Sequence, residues 1–270
     1  MRPRPAIILR MDDVGAASKR HEVYGITRIP IGPWRAPFPG NFLWLKYLPG
    51  IKRWGRYAEL GAPQWRAILE ALADAGAHLT VAVTAAWVED DGALTPYAQR
   101  FPEAAAVLRE GIAAGLVEIA NHGLTHCLLD DNAFRPRAFV GNRAFHREFY
   151  EFVPLDTQRM HLARAQALLA DAFKTEIVTF VPPGNLLQAA TLEVARDVGL
   201  RFASFRATTA LDGPLTVIGD ERGVVFHDRD VVRRGARWLR ETLAAHGDAE
   251  ILQVKELGER LLRTSVGRPG

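Results

Sequence analysis

Three short polar segments of the 270-residue chain contain residue types that can perform chemistry. The first, Arg10–Gly15, reads Arg-Met-Asp-Asp-Val-Gly and has two adjacent carboxylates. The second, Asn121–His126, reads Asn-His-Gly-Leu-Thr-His and has two histidines four positions apart. The third, Phe180–Asn185, reads Phe-Val-Pro-Pro-Gly-Asn. Two imidazoles and a carboxylate are a ligand set typical of a catalytic zinc site, which keeps positions open for water and substrate.

The spacing of His122 and His126 predicts a single helical turn on which both rings face the same way and reach one ion. Asp13 supplies the carboxylate that completes this ligand set. A metal held there lowers the pKa of its water toward about 7 and polarises a carbonyl. The neighbouring Asp12 can act as the base toward that water. These residues together predict a metal-dependent hydrolase.

Each polar segment follows a predicted strand, and predicted strands alternate with predicted helices along most of the chain. The predicted strands are Ala6–Met11, Leu79–Ala85, Val117–Ala120, Glu176–Val181, Phe202–Phe205, Gly223–Phe226 and Ile251–Val254. The predicted helices are Pro63–Gly76, Pro96–Gly115 with a break at Pro102, Asp156–Phe173, Leu187–Gly199, Val231–His246 and a last one ending near Leu262. Sites in parallel α/β folds lie at the carboxyl ends of the strands, so the three segments are expected to meet.

The alternation predicts right-handed βαβ units and a parallel sheet. Seven to eight strands favour an α/β architecture in the form of a distorted (β/α) barrel, with a doubly wound open sheet as the alternative. The length predicts one domain over residues 1–270. Two long segments, Ser18–Tyr57 and Cys127–Pro154, break the alternation and are rich in aromatic residues. We predict that they form the walls of a substrate cleft.

The overall composition narrows the class of protein. The chain is 48% hydrophobic and carries 34 Lys+Arg against 31 Asp+Glu, which excludes a disordered chain. Its single cysteine, Cys127, cannot form an internal disulfide. Most basic residues are arginine, which leaves room for a phosphate-bearing substrate. No basic run is long enough to indicate a nucleic-acid surface.

The start of the chain gives an expectation about location. The apolar run Ala6–Leu9 is too short for a signal peptide or a membrane span. We therefore expect a cytoplasmic protein without a membrane-spanning segment.

The polar segments resemble the motifs of the polysaccharide deacetylases, also called the NodB-homology group or carbohydrate esterase family four. The family's first motif, Thr-Phe-Asp-Asp-Gly, appears as Arg10–Gly15, and its second, His-Ser/Thr-x-x-His, as His122–His126. The third, Arg-x-Pro-Tyr, is matched loosely by Val181–Gly184, and a late motif by Val225–His227. The resemblance spans most of the chain and implies a divergent member with the family's distorted (β/α) barrel.

The resemblance also implies a role for each matched residue. Asp12 would be the catalytic base and His227 the general acid. The metal, most simply zinc, would be held by Asp13, His122 and His126. The segment containing Gly184 and Asn185 would bind the oxyanion or the substrate.

This sequence departs from the family pattern at one important position. Val181 stands where the family has an arginine that orients the base. Asp12 must therefore lack that partner or find another, and Arg10 and Arg206 are the candidates.

The implied activity is removal of an N-acyl group, typically acetyl, from a sugar of a glycan or glycan precursor. A phosphate-linked sugar from a cell-envelope pathway would suit the many arginines. The alternatives are a degenerate barrel that binds a glycan without cleaving it, and a metal hydrolase that acts on another amide or ester. The sequence leaves the sugar, the acyl group, the physiological metal and the oligomeric state open.

Overall fold

The computed structural model describes residues 4–42, 44–127, 148–206 and 213–266. Numbered along the chain, its strands are β1 Ala6–Val14, β2 Tyr24–Gly25, β3 Arg28–Ile31, β4 Trp34–Pro37, β5 Lys52–Trp54, β6 Leu79–Val83, β7 Ala86–Val88, β8 Leu94–Pro96, β9 Val117–Asn121, β10 Thr179–Phe180, β11 Phe202–Phe205, β12 Thr216–Gly219, β13 Gly223–His227 and β14 Glu250–Leu252. Its α-helices are α1 Ala62–Ala75, α2 Tyr97–Arg100, α3 Pro102–Ala113, α4 Leu155–Phe173, α5 Ala189–Asp197, α6 Asp228–Ala245 and α7 Val254–Val266.

A curled parallel sheet forms the centre of the molecule. Seven strands pair in the order β12-β11-β10-β9-β6-β1-β13, and β14 pairs in parallel with the first residues of β1. The sheet curls so strongly that Arg10 on β1 reaches across the interior to Ser204 on β11, with 2.7 Å between Nη1 and Oγ. The predicted distorted (β/α) barrel of seven to eight parallel strands is confirmed.

Alternation along β1 separates two environments. Leu9 and Met11 pack in the main hydrophobic core with the outer helices. Ile8 packs with residues of β11, β12 and α7, while Arg10 and Asp12 bond to each other. Because successive side chains of a strand point to opposite faces, β1 carries its polar residues into the barrel interior.

The helices form because each has one apolar face toward the sheet. In α1 the buried residues Trp65, Ile68 and Leu72 recur at helical spacing. A proline occupies its first turn, and Gly76 ends it in the left-handed conformation at φ 58°. The helix therefore matches its predicted range within a residue.

Most predicted elements lie within a few residues of the observed ones, but three differences stand out. The predicted strand Glu176–Val181 is reduced to two residues, and β12 was not predicted at all. The segment Ser18–Tyr57 was expected to be irregular, yet it contains two small antiparallel sheets, β2-β5 and β3-β4. These strands are only two to four residues long, so they leave little alternation in the sequence.

The second long segment can be followed only at its ends. Of Cys127–Pro154, residues 128–147 lie outside the described residues. None of the helices that the structure describes has the length and apolar character needed to cross a bilayer.

Candidate metal centre

The end of β1 presents two carboxylates in different directions. The pairing of β1 with β6 shifts register between Met11 and Val14. Asp13 lies in this irregular stretch with φ 71°, a left-handed conformation that is uncommon for a residue with a side chain. A bulge of this kind re-aims a side chain, and strained backbone of this kind is concentrated at functional sites. Asp12 therefore stays in the barrel interior while Asp13 turns toward the histidines.

The segment that carries the two histidines is a loop, so the predicted helical turn was wrong. Gly123 and His126 have positive φ values of 78° and 66°, which no right-handed helix allows. The buried carboxylate of Glu148 accepts hydrogen bonds from the backbone N–H groups of Leu124 at 2.8 Å and His126 at 3.0 Å. It is also 2.6 Å from Nδ1 of His161. This carboxylate supplies the partners that a helix would have provided internally.

The loop nevertheless brings both imidazoles to the carboxylate of Asp13. His126 Nε2 lies 3.1 Å from Asp13 Oδ1, and His122 Nε2 lies 3.6 Å from the same oxygen. The three potential ligand atoms lie within 4.8 Å of one another. Burial would raise the pKa of Asp13, but His227, His122 and His126 hold that pKa well below its ordinary value. Asp13 is therefore an ionised carboxylate beside two imidazoles.

His122 is oriented by a backbone group that directly follows the neighbouring strand, β10. Its Nδ1 is 2.6 Å from the carbonyl oxygen of Val181, which can only accept, so Nδ1 carries the proton. The opposite nitrogen, Nε2, is buried and has no hydrogen-bond partner among the described residues. A buried acceptor nitrogen aimed at a carboxylate fits a divalent metal, because a metal-ligating histidine characteristically donates its other N–H to such a carbonyl.

Arg10 is the partner of Asp12, and Arg206 is not. Nε of Arg10 donates to Asp12 Oδ1 at 2.8 Å, and Nη2 of Arg10 donates to Asp12 Oδ2 at 2.9 Å, so the two side chains form a bidentate pair. Nη1 of Arg10 also donates to Asp220 Oδ1 at 2.9 Å. Burial would raise the pKa of Asp12, but the charge and hydrogen bonds of Arg10 hold it below its ordinary value. Asp12 is therefore kept charged inside the barrel.

His227 lies at the other rim of the same site. It ends β13, the neighbour of β1, and Nε2 lies 3.8 Å from Asp13 Oδ2. Its side chain is 34% exposed, so the ring is open to solvent or substrate. Asp230, in the first turn of α6, accepts the backbone N–H of His227 at 3.1 Å and so caps that helix. The residue directly after His227, Asp228, bonds to Lys19 and Tyr57 instead.

Asp228 belongs to a buried ionic network beside the site. Lys19 Nζ contacts Asp228 Oδ2 and lies 2.6 Å from Glu59 Oε2. The hydroxyl of Tyr57 donates to Asp228 Oδ1 at 2.9 Å. Burial would lower the pKa of Lys19, but the two carboxylates raise it above its ordinary value, so the lysine is charged. The network ties the segment Ser18–Tyr57 to the start of α6.

Arg229 extends that connection to the candidate ligands. Its guanidinium lies 4.5 Å from the ring of Trp54, and Nη1 lies 3.5 Å from Asp13 Oδ2. The other partner of Trp54 is Tyr24, whose ring stacks on it at 4.1 Å. The inner end of Ser18–Tyr57 is therefore next to the Asp13 strand end, where it was predicted to lie, and its role toward substrate stays a prediction.

The third polar segment reaches the site through its second residue, Val181. Val181 supplies the carbonyl that orients His122, while Gly184 and Asn185 are exposed and follow it in a short turn. The side chain of Asn185 is used locally, because its Oδ1 accepts the backbone N–H of Arg206 at 3.0 Å. The participation of Gly184 and Asn185 in binding an oxyanion or substrate stays a prediction.

The sequence predicted the candidate metal ligands but not the residues that support them. Glu148 lies more than twenty positions from the loop it supports, and Val181 acts through its backbone, so neither gives a local signal. Arg229 lies two positions after His227, in the first turn of α6, and this closeness to a strand end was a signal that went unused.

Comparisons with known proteins identify the family of the chain. The sequence model of the polysaccharide deacetylase family matches residues 59–203, which include His122 and His126 but neither Asp13 nor His227. No curated protein sequence matches the chain.

Several solved structures are similar to this chain. A putative polysaccharide deacetylase from Mycobacterium smegmatis is 17% identical, with a TM-score of 0.54 over 77% of this chain and 81% of that one. A family 4 carbohydrate esterase from Bacillus anthracis is 13% identical, with a TM-score of 0.46 over 74% and 78%. A pseudoenzyme of the same esterase family from Bacillus anthracis is 13% identical, with a TM-score of 0.48 over 74% and 62%. The chain thus spans less than two thirds of that pseudoenzyme's length.

The matched range exceeds half of the chain, and the strand order is that of a distorted (β/α) barrel. The protein belongs to the polysaccharide deacetylase family.

Proposed function

We propose that the protein is a divalent-metal-dependent hydrolase that removes an N-acyl group, acetyl in the simplest case, from a sugar of a glycan or glycan precursor. The observation that carries this proposal is the convergence of Asp13, His122 and His126 within 4.8 Å beside a second, charged carboxylate, Asp12. Family membership supplies the glycan as substrate class. A phosphate-linked sugar of an envelope pathway would suit the arginines of the chain.

The metal would be held by Asp13 Oδ1 and the Nε2 atoms of His122 and His126. Two imidazoles and one carboxylate fit zinc, and three protein ligands leave positions open, as in catalytic rather than structural sites. A bound divalent ion supplies a Lewis acid toward the amide carbonyl and makes water more acidic. The carbonyl of Val181 keeps His122 in the tautomer that such an ion requires.

Asp12 is the proposed base. Arg10 holds both of its oxygens, so the carboxylate has one orientation and remains ionised inside the barrel. Each oxygen has a second lone pair with which to accept the proton of the attacking water. A base of low pKa is weak toward bulk water but would suffice for water whose acidity a divalent ion had raised.

His227 is the proposed acid. An amine departs poorly as an anion, so a donor must protonate the nitrogen as the tetrahedral intermediate collapses. The His227 ring approaches Oδ2 of Asp13, whereas His122 and His126 approach Oδ1, and it is partly exposed, so it can meet a leaving group. Backbone N–H groups of the Gly184–Asn185 turn are the proposed donors to the oxyanion.

The alternative of a barrel that binds a glycan without cleaving it rested on the missing family arginine at position 181. Arg10 offsets that loss, because it supplies a bidentate guanidinium to Asp12 from a different position. Within residues 4–42, 44–127, 148–206 and 213–266, the arrangement around Asp12 supports the catalytic proposal over the non-catalytic alternative.

The test has two readouts on the same protein. Elemental analysis of the purified chain should find about one equivalent of a divalent metal, and zinc or cobalt should restore it after chelation. The metal-loaded protein should release acetate from N-acetylated sugar oligomers or phosphate-linked N-acetyl sugars. Binding of the metal without acetate release from any of them would contradict a deacetylase and support the binding-only barrel.

A further inference from the structure

Residues 23–58 expose large apolar side chains to an unusual degree. Trp34 is 77% exposed, Trp44 62% and Ile31 57%, and Phe42 and Tyr47 are also about half exposed. Of the ten large hydrophobic residues exposed in the described chain, six lie in this stretch, with Leu48 as the sixth. Soluble proteins rarely concentrate apolar surface in this way unless it meets a partner.

Two of these residues stand together at the tip of a hairpin. In the β3-β4 pair Ile31 lies opposite Trp34, across the turn formed by Gly32 and Pro33. Residues directly opposite each other point to the same face of a two-stranded sheet, so Ile31 and Trp34 form one apolar surface. Their strand neighbours alternate to the other face, which carries the exposed arginine Arg35. The hairpin therefore has an apolar side and a basic side.

The charge of the segment has only one sign. Residues 23–58 contain six basic residues and no Asp or Glu. The six are Arg28, Arg35, Lys46, Lys52, Arg53 and Arg56, of which all except Lys46 are exposed. The chain as a whole is nearly balanced at +3, so this stretch is a local concentration of positive charge.

We propose that residues 23–58 bind the surface of an anionic lipid bilayer. Tryptophan and tyrosine favour the interface between headgroups and acyl chains, and aliphatic side chains beside them enter the acyl boundary. Each exposed arginine or lysine near an anionic leaflet adds about 1 kcal/mol of attraction, or about fivefold in affinity. The tip residues Ile31 and Trp34 would enter the bilayer, and the exposed arginines would contact the headgroups.

Two other occupants fit these residues less well. A second copy of the chain would bring five exposed positive charges against five others, with no carboxylate of the segment between them. A glycan would find aromatic faces, but its hydroxyls are best met by carboxylates and amides, and the segment offers a single such side chain, Asn41. The Oδ1 of Asn41 already accepts the backbone N–H of Gly25 at 2.7 Å.

The surface is connected to the candidate metal centre. Trp54, at the inner end of the segment, packs under Arg229, which reaches Asp13. Docking of the segment would hold the centre near the membrane, so its substrate would be a glycan precursor carried on lipid. This last step rests on the proposed function, whereas membrane binding itself does not.

The test is co-sedimentation of the full chain with vesicles of phosphatidylcholine alone or with a quarter of phosphatidylglycerol. We expect binding to the anionic vesicles that weakens with salt. The double variant Ile31→Ser/Trp34→Ser should weaken binding roughly tenfold through lost apolar contact. The matched control Met160→Ser changes a 56% exposed residue on α4 and should bind as wild type does.

A second pair of variants tests the charge without touching the apolar tip. Arg28→Glu/Arg35→Glu should weaken binding at least twentyfold, while Arg164→Glu on α4 should have a small effect. His122→Ala should still bind vesicles, so failure of the metal centre and failure of membrane binding remain distinguishable.

Three results would overturn the proposal. They are absence of binding to anionic vesicles, equal binding to neutral and anionic ones, and loss of binding to a soluble N-acetylglucosamine oligomer in the tip variant while vesicle binding persists. The last result would make the surface a glycan platform.

Discussion

A carboxyl group is buried at each end of the barrel interior, and the pKa values of the two groups are shifted in opposite directions. At the carboxyl end Asp12 receives two hydrogen bonds from the Arg10 guanidinium, and its pKa lies below the ordinary value. At the amino end Glu118 receives hydrogen bonds from the hydroxyls of Thr80 and Thr179, and burial raises its pKa. Burial is similar at both positions, so the difference lies in the partners.

This contrast indicates a catalytic role for Asp12 and a structural role for Glu118. A permanently charged guanidinium keeps Asp12 ionised and ready to accept a proton. The donors to Glu118 are neutral, so the charged form of its buried carboxyl stays unfavourable. Glu118 instead joins elements, because it also accepts the backbone N–H of Lys255 at 3.2 Å at the start of α7. We therefore expect changes at the carboxyl end to remove activity, and changes at the amino end to alter stability.

The largest effect is expected from His122→Ala. Loss of a residue that hydrogen-bonds to a metal ligand typically weakens metal binding tenfold to a hundredfold. Removing one of the three ligands themselves should weaken it by more, and turnover should fall with the metal content. The metal-free variant should unfold within a few degrees of the metal-free wild type. Calorimetric titration with zinc and a melting curve in chelator measure the two quantities. His246→Ala, at the far end of α6, is the control, and equal zinc affinity in both variants would contradict the assignment.

Asp12→Asn should lower turnover without changing metal binding. The ligand set is untouched, so metal content should stay at the wild-type level. Loss of the base should lower turnover about a hundredfold to ten-thousandfold. Acetate release and elemental analysis on one preparation measure both. Near-normal turnover in this variant would mean that another group takes the proton.

His227→Ala tests the opposite rim through the nature of the leaving group. We expect retained metal and about a hundredfold slower amide hydrolysis, because the amine must leave protonated. An ester leaves more easily as an alkoxide, so its hydrolysis should fall much less. The ratio of the two losses is the measurement. Equal losses for amide and ester would assign the acid elsewhere.

Arg10→Lys tests whether the guanidinium geometry is required at Asp12. Lysine keeps the charge but cannot bond both carboxylate oxygens, so Asp12 would lose its fixed orientation. We expect turnover to fall about tenfold with metal content unchanged. The acidic limb of the rate profile should move to higher pH, since the pKa of Asp12 rises toward its ordinary value. Arg206→Lys is the control, because only the backbone N–H of Arg206 makes the local contact to Asn185.

The elements that the sequence predicts well are those with strong local patterns. β1, β9 and β11 are largely buried and each has a majority of apolar residues, and α1 has both its apolar face and its terminal glycine. The i, i+2 spacing of Arg10 and Asp12 on a strand also places them on one face, which agrees with Arg10 as the partner of Asp12. These features depend only on neighbouring residues.

The features that could not be predicted depend on distant contacts. The i, i+4 spacing of His122 and His126 suggested a helix, but Glu148 binds the backbone of this loop from more than twenty positions away. Gly123 accommodates that contact, because a Cβ there would lie 2.2 Å from Glu148 Oε2. No local pattern encodes a carboxylate that arrives from another part of the fold.

The smallest effect is expected at the amino end, from Glu118→Gln. Below its ordinary pKa of 4.5 the residue is protonated in both the folded and the unfolded chain, so it contributes no pH dependence. As pH rises from 4.5 toward the raised folded value, the unfolded chain loses its proton first, and wild-type stability falls. Glutamine cannot ionise, so the variant should lack this fall and gain about 1 kcal/mol relative to wild type near pH 7. Urea unfolding between pH 4.5 and 7.5, in chelator, measures the slope, with the exposed Glu151→Gln as control. A variant with the wild-type slope would mean that Glu118 stays charged like Asp12, and the contrast between the two ends would then fail.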